Sequence, residues 1–156
     1  MYKNLLIVGG GFAGTRTAKT LEPMLPSDWT LTLISQENFI TFNPLLPEVV
    51  GASIPPSHVI APHRQMLHCS HVCMAQVTEI DTTARVLHYL GEGAETMDYD
   101  QLILACGANA NLDIVRGMGS YGLPLKTLGD AMFRAIASSR DWNRPSCSPI
   151  PSTGAG

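Results

Sequence analysis

Residues 3–21 constrain the fold most strongly, because they combine a short apolar strand, a glycine-rich turn and a helix. Residues 5–8 form an uninterrupted apolar run, which is typical of a parallel strand buried on both faces. Gly9, Gly11 and Gly14 then follow with the spacing G-x-G-x-x-G. The pattern predicts the strand, turn and helix that open a Rossmann-like α/β domain with a central parallel sheet.

The three glycines of this motif predict a dinucleotide site. The first permits a tight turn, the second leaves room for a pyrophosphate, and the third lets the helix pack closely on the strand. The helix N-terminus then offers free N–H groups and a positive dipole end to the phosphates. The alternative is a glycine-rich turn without a ligand, but the position between a strand and a helix favours the dinucleotide.

Composition limits the classes of partner. The chain has 156 residues, enough for one domain, and 45% of them are hydrophobic, which predicts a globular core. A formal charge of −3 without a basic run argues against nucleic acid. No apolar stretch approaches the ~20 residues of a membrane span, and the N-terminal run is too short for a signal peptide. We therefore expect a cytoplasmic protein.

The ribose of a dinucleotide is usually held by an Asp or Glu about 20 residues past the glycines, at the end of the second strand. Residues 29–34 predict that strand, and Ser35 occupies the expected position, followed by Gln36. Glu37 would supply the acid if the loop turned back. No Arg or Lys follows to bind a 2′-phosphate, which disfavours NADP in this pocket.

The middle of the chain contains a long apolar segment, residues 39–51, stiffened by prolines. A loop of this length is usually functional, and its surface would suit a flat aromatic ligand; the alternative is a lid over the core. Further predicted elements are a short helix over 60–67, neighbouring strands over 72–80 and 85–89, a hairpin turn at 91–93 and a central parallel strand over 101–105.

The C-terminal third contains one clear helix signal, because Thr127 and Asp130 have capping-box spacing. Residues 140–156 are rich in Pro, Ser and Gly, so we expect a domain over 1–139 and a disordered tail over 140–156. The predicted helix spans 128–138 and buries Leu128, Ala131, Met132 and Ala135.

Cysteines and histidines give no strong site. Cys69 and Cys73 would lie too far apart on extended chain for a disulfide, and without a second ligand pair a core location is favoured over a metal site. The histidines are expected to be surface or packing residues, and they are His58, His63, His68, His71 and His88.

Four segments, residues 7–14, 42–49, 99–107 and 123–131, together resemble one family. The chain is similar to the N-terminal part of a flavoprotein with two dinucleotide domains, and most similar to type II NADH dehydrogenase, the NADH:quinone reductase. Sulfide:quinone reductase is a near relative. The resemblance covers about residues 2–138.

This resemblance implies FAD in the first domain, hydride transfer from NADH to the flavin, and electron transfer to a quinone. Full-length relatives act peripherally on the cytoplasmic face of the membrane. The implied FAD contacts are Gly9, Gly11, Phe12, Ala13 and Gly14 at the pyrophosphate, Ser35 and Gln36 at the adenosine ribose, the backbone of Val77 at the adenine, Pro44 and Leu45 at the isoalloxazine, and Ala105, Cys106 and Gly107 beside the cofactor.

The sequence also departs from the family pattern. Ser35 replaces the usual acid, and Cys106 replaces a threonine, which removes a hydroxyl hydrogen bond. The family continues with a second glycine-rich fold for NADH and a membrane-binding C-terminus, whereas this sequence has one G-x-G-x-x-G and no amphipathic C-terminal helix. The chain therefore resembles a truncated copy, and we expect it not to turn over NADH by itself.

Several alternatives stay open from the sequence. Disulfide reductases share this flavin domain, but residues 35–60 contain no cysteine, which disfavours that activity. The parent could instead be a sulfide:quinone reductase. The chain could also be a plain NAD-binding module or a non-catalytic remnant, and the absence of a flavin spectrum would indicate one of these two.

Overall fold

The computed structural model describes residues 2–108, 111–114 and 116–142, with side chains as far as residue 137. These residues form two compact units. The first unit combines residues 1–42 with 59–111, and the second combines 43–58 with 112–156.

A parallel sheet forms the centre of the first unit. Its strands are β1 (Lys3–Val8), β2 (Trp29–Ser35), β5 (His71–Met74) and β9 (Gln101–Leu104), in the order β5-β2-β1-β9. Helix α1 (Phe12–Leu21) connects β1 to β2, which confirms the predicted strand–helix–strand unit. Because all four strands run parallel, their carboxyl ends lie at one edge of the sheet.

Both faces of this sheet are covered, which explains the apolar runs without alternation. On one face, Leu5 and Ile7 pack in a cluster with Ala18 of α1. On the other face, Leu6 and Val8 belong to a second cluster, which also contains Ile34, Ala75, Leu87, Tyr89 and Tyr99.

A three-stranded antiparallel sheet supplies part of the second cluster. Its strands β6 (Gln76–Asp81), β7 (Val86–Leu90) and β8 (Ala94–Asp98) form a meander, with the predicted hairpin turn between β7 and β8. The prediction of one strand over 72–80 was wrong. The chain leaves the parallel sheet at Ala75, whose N–H donates to the Ser35 carbonyl at 2.9 Å.

The segment 39–51 is not the predicted loop. It begins with β3 (Phe39–Thr41), which pairs antiparallel with β4 (Ile60–Pro62). A 3₁₀ turn over Asn43–Leu45 and helix α2 (Leu46–Val50) follow. Pairing with a strand about twenty residues away satisfies backbone groups that the local sequence leaves open.

The predicted helix over 60–67 is correspondingly shorter. A 3₁₀ turn covers Pro56–Val59, Ile60 to Pro62 are taken up by β4, and only α3 (His63–Met66) is α-helical. The prediction for β9 was half right. This strand is parallel, but within the described residues it lies at the sheet edge, and Leu104 is 62% exposed.

The second unit contains α2, α4 (Met118–Tyr121) and α5 (Leu128–Trp142), with α2 packed against α5. Its buried apolar side chains include Leu46, Val49 and Ala131. None of the helices within the described ranges is long and apolar enough to cross a bilayer.

The predicted capping box at the start of α5 is confirmed. The Asp130 N–H donates to Thr127 Oγ1 at 3.0 Å, and the Thr127 N–H donates to Asp130 Oδ2 at 2.8 Å. Leu128 and Ala135 are half-buried, whereas burial of Met132 was wrong, since it is 45% exposed. The helix continues to Trp142, and the rest of the predicted tail lies outside the described residues.

A single carboxylate fixes the chain between α3 and β5. Glu22, directly after α1, accepts hydrogen bonds from the N–H groups of His68, Cys69 and Ser70, the last at 2.8 Å. This contact leaves Cys69 exposed, so its predicted core location was wrong, while half-buried Cys73 packs against the core. Burial alone would raise the pKa of Glu22, but the hydrogen bonds with Ser70, Cys69 and His68 outweigh it and lower that pKa.

Glu22→Gln is expected to lower the free energy of unfolding by about 1 kcal/mol at pH 7, because a neutral amide binds the three N–H groups less strongly. Since the folded-state pKa lies below the ordinary 4.5, this contribution is present above pH 4.5 and is lost as the pH falls through the folded value. Urea unfolding at several pH values measures it. Exposed Glu79→Gln is the control, and an equal effect of both variants would contradict the role of Glu22.

Candidate nucleotide-binding site

The predicted site residues of the first unit follow the carboxyl ends of the parallel strands. Residues 9–14, here called the glycine loop, follow β1, and Ser35 and Gln36 stand at the end of β2. Residues 105–107 follow β9. The fold therefore brings these three predicted segments to one edge of the sheet.

Two glycines of the loop are enclosed by backbone and have no room for a side chain. Gly9 has φ +110°, and a Cβ there would lie within 3.0 Å of the Ala105 carbonyl. A Cβ on Gly14 would overlap the Gly9 carbonyl oxygen. Gly9 also donates its N–H to the Ile34 carbonyl at 2.8 Å. These contacts hold the turn against both neighbouring strands and let α1 pack on it, as the motif predicts.

Gly11 has the opposite environment. A Cβ built on it would meet nothing within 4 Å, and its backbone is extended at φ −73° and ψ −169°. It is the N-cap of α1, where no side chain caps the helix and the first turn holds no acidic residue. Phe12 and Ala13, the next two residues of the chain, are exposed. The helix N-terminus therefore has open space, and its first N–H groups have no partner within the helix, which fits a diphosphate.

Exposed apolar side chains surround this edge of the sheet. Phe12 is 54% exposed, and its ring meets that of Phe42 edge-on, with centroids 6.1 Å apart and planes at 73°. Met74 and Leu104, the last residues of β5 and β9, are also largely exposed. Phe42, Met74 and Leu104 were not predicted as site residues, and they give the edge an apolar surface.

The remaining predicted residues differ in their surroundings. Ser35 and Ala105 are half-buried, while Gln36, Cys106 and Gly107 are exposed, Gly107 with φ +69°. Cys106 Sγ lies 3.8 Å from the Val8 carbonyl oxygen. Val77 lies in β6, half-buried against the core. Pro44 and Leu45 lie in the 3₁₀ turn of the second unit, where Pro44 is exposed and Leu45 is half-buried.

His63 is a residue that the sequence did not single out. Its side chain is fully buried, and its ring Nδ1 lies 3.4 Å from Thr15 Oγ1. Its backbone N–H donates to the Asn38 carbonyl at 3.0 Å. Burial lowers the pKa of His63, and a hydrogen bond with the backbone of Glu37 acts in the opposite direction. A lone histidine between Pro62 and Arg64 carries no pattern that would have located it beside the glycine loop.

Residues 3–145 match the family described as pyridine nucleotide-disulphide oxidoreductase. The chain belongs to this family. Among curated proteins, it is 32% identical to a probable mitochondrial NADH-ubiquinone oxidoreductase of Schizosaccharomyces pombe over 83% of its own length. It is also 32% identical to a demethylphylloquinone reductase of Synechocystis over 81%. The chain spans 25% and 33% of the length of these two relatives.

Two solved structures of other proteins share the fold. The chain superimposes on NDH2 from Plasmodium falciparum in complex with NADH with a TM-score of 0.80, at 21% identity, covering 95% of this chain and 32% of the other. It matches the sulfide:quinone oxidoreductase of Aquifex aeolicus with a TM-score of 0.75, at 21% identity, covering 92% and 33%. The predicted Rossmann-like fold is therefore confirmed.

Proposed function

We propose that this chain is the FAD-binding portion of an oxidoreductase that transfers electrons from NAD(P)H to a quinone. The observation that carries the proposal is the contrast within the glycine loop. Gly9 and Gly14 are enclosed by backbone, whereas Gly11 faces open space at an uncapped helix N-terminus. Such a turn leaves main-chain N–H groups free for a diphosphate.

The chemistry of the whole protein is proposed from its relatives. The S. pombe relative is named for NADH and ubiquinone, and the Synechocystis relative for demethylphylloquinone. Bound FAD would accept a hydride from NAD(P)H and pass two electrons to the quinone. We propose that this reaction takes place at a membrane surface, and that the chain described here supplies the flavin-binding part.

The residues of this chain then bind and orient the cofactor. The glycine loop, with the N–H groups of Phe12 and Ala13, would hold the diphosphate. Ser35 and Gln36 would contact the adenosine ribose, and the backbone of Val77 would contact the adenine. Ala105, Cys106, Gly107, Pro44 and Leu45 are proposed to lie along the flavin half. The cofactor-binding domain would span 1–139, a boundary that lies within α5 because this helix continues to Trp142.

The apolar surface at the site favours flavin over a plain nicotinamide dinucleotide. An isoalloxazine is a large, flat aromatic system, and Phe12, Phe42 and Leu104 expose apolar area beside the glycine loop. A module that binds only NAD would use the same glycines but would need less of this surface.

The experiment is a visible spectrum of the purified chain followed by titration with FAD and with NAD⁺. We expect a yellow protein with the ~450 nm absorbance of oxidised flavin, or a colourless one that regains it with FAD. Tighter binding of FAD than of NAD⁺ supports the flavin assignment. Equal binding would indicate an NAD module, and no binding of either would indicate a non-catalytic remnant.

A further inference from the structure

A buried polar cluster lies beside the glycine loop and is formed by Gly10, Thr15, Ser35 and His63, here called the Gly10 cluster. Thr15 and His63 are 1% and 0% exposed. A Cβ on Gly10 would lie within 3.0 Å of both Ser35 Oγ and His63 Nε2. These two polar atoms therefore both border the space that the missing side chain of Gly10 leaves.

The hydrogen bonds of Thr15 favour one tautomer of His63. The Thr15 hydroxyl donates to the Gly10 carbonyl at 3.1 Å, which uses its single proton. We therefore assign Nδ1–H as the donor in the 3.4 Å contact between His63 Nδ1 and Thr15 Oγ1. A neutral imidazole with its proton on Nδ1 carries a lone pair on Nε2, so that atom must accept a hydrogen bond.

His63 Nε2 is buried and has no hydrogen-bond partner among the described residues. The Glu37 carbonyl accepts a hydrogen bond from a ring N–H, so it cannot be the donor that an unprotonated Nε2 needs. The Ser35 hydroxyl is a donor, and it borders the same space beside Gly10. A change of the Ser35 side-chain rotamer that brings Oγ within hydrogen-bond distance of Nε2 would satisfy the buried nitrogen, whose isolation is otherwise costly.

On the basis of the proposed function, we propose that His63 is a positioning residue for the adenosine ribose. Its Nε2 accepts the Ser35 hydroxyl proton, so that Ser35 directs its oxygen lone pairs towards a ribose hydroxyl. The role of hydrogen-bond acceptor, usually filled by a carboxylate at this place, is then filled by a neutral Ser–His pair. This pair explains how a serine can stand at position 35, where an acid is usual, and still bind the ribose.

The test compares ADP, which contains the adenosine ribose and diphosphate of FAD, with 2′,3′-dideoxy-ADP, which lacks both ribose hydroxyls. Calorimetry on the full chain is expected to show that ADP binds about 5- to 10-fold more tightly than 2′,3′-dideoxy-ADP, which corresponds to one hydrogen bond. This ratio of the two affinities is the quantity compared between variants. His63→Leu and Ser35→Ala should each reduce this ratio to about 1–2. A merely structural role of His63 would weaken both ligands equally and leave the ratio unchanged.

Two further variants sharpen the comparison. His63→Gln keeps an acceptor oxygen near the position of Nε2, and we expect it to retain most of the wild-type ratio. Exposed His71→Leu, on β5, is the matched control and should leave both affinities unchanged. Loss of the ratio in His63→Gln but not in His63→Leu would overturn the proposal.

Nitrogen-15 NMR of wild-type His63 gives a readout that depends on no variant. We expect a proton on Nδ1 and an unprotonated Nε2, and the opposite tautomer would overturn the proposal. If His63→Leu fails to fold, this spectrum and the Ser35→Ala ratio decide. Absence of ADP binding by the wild type would refute the proposed function, and this inference with it. If ADP binds and the ratio of ADP to dideoxy-ADP affinity is the same in the wild type and all folded variants, only the inference about His63 is refuted.

Discussion

Gly14→Ala is expected to destabilise the first unit by about 3 kcal/mol or more, a large part of the stability of a small domain. The new Cβ would overlap the Gly9 carbonyl oxygen, and it would be bonded directly to the backbone of α1, so no flexible side chain can relieve the clash. Neither can move without separating α1 from β1, because the Gly9 N–H is held by the Ile34 carbonyl. Urea unfolding followed by circular dichroism measures the loss.

The matched control for this prediction is the same substitution at Gly11. Its Cβ would meet nothing within 4 Å, and its φ of −73° suits alanine. The free energy of unfolding should change by no more than about 1 kcal/mol, the cost of alanine at an N-cap. Equal stability losses in the two variants would show that α1 does not pack on the glycine loop as described.

Gly11→Ala is expected to weaken FAD binding about 10- to 100-fold while the protein stays folded. The methyl group would point into the open space at the start of α1, where the diphosphate is proposed to bind. It would separate the phosphate oxygens from the free N–H groups of the first turn. Flavin fluorescence during titration of the apo chain measures the affinity.

Ala13→Gly provides the control for this second prediction, because it changes another exposed residue of the same turn without adding atoms. FAD affinity should change little, with only a small loss of helix stability. Wild-type affinity in Gly11→Ala would place the cofactor elsewhere and remove the observation on which the flavin proposal depends.

The parts of the fold that could be predicted from the sequence are those encoded by neighbouring residues. Residues 5–8 are apolar without alternation because both faces of β1 are buried. The glycine spacing gave the turn, and Thr127 with Asp130 gave the start of α5. In each case the residues that form the pattern also make the contacts that stabilise the element, so the local sequence is sufficient to predict it.

The errors have a common physical cause, which is pairing between distant segments. Residues 39–41 form a strand because Ile60–Pro62 lies beside them, and neither segment signals this alone. The predicted strand over 72–80 is divided because Ala75 binds the end of β2. His63 becomes part of the candidate site only because β4 and α3 bring it beside Gly10.

The division of the chain at Ala75 has a consequence for the behaviour of the meander. Ser35 is proposed to bind the ribose through its side chain, and its carbonyl accepts the N–H of the residue at which the chain crosses between sheets. A ligand that immobilises Ser35 would thereby also restrict the first residue of that crossing. If the nucleotide prefers the attached state, thermodynamic linkage leads us to expect that a substitution which loosens β6–β8 will lower nucleotide affinity without contacting the phosphates.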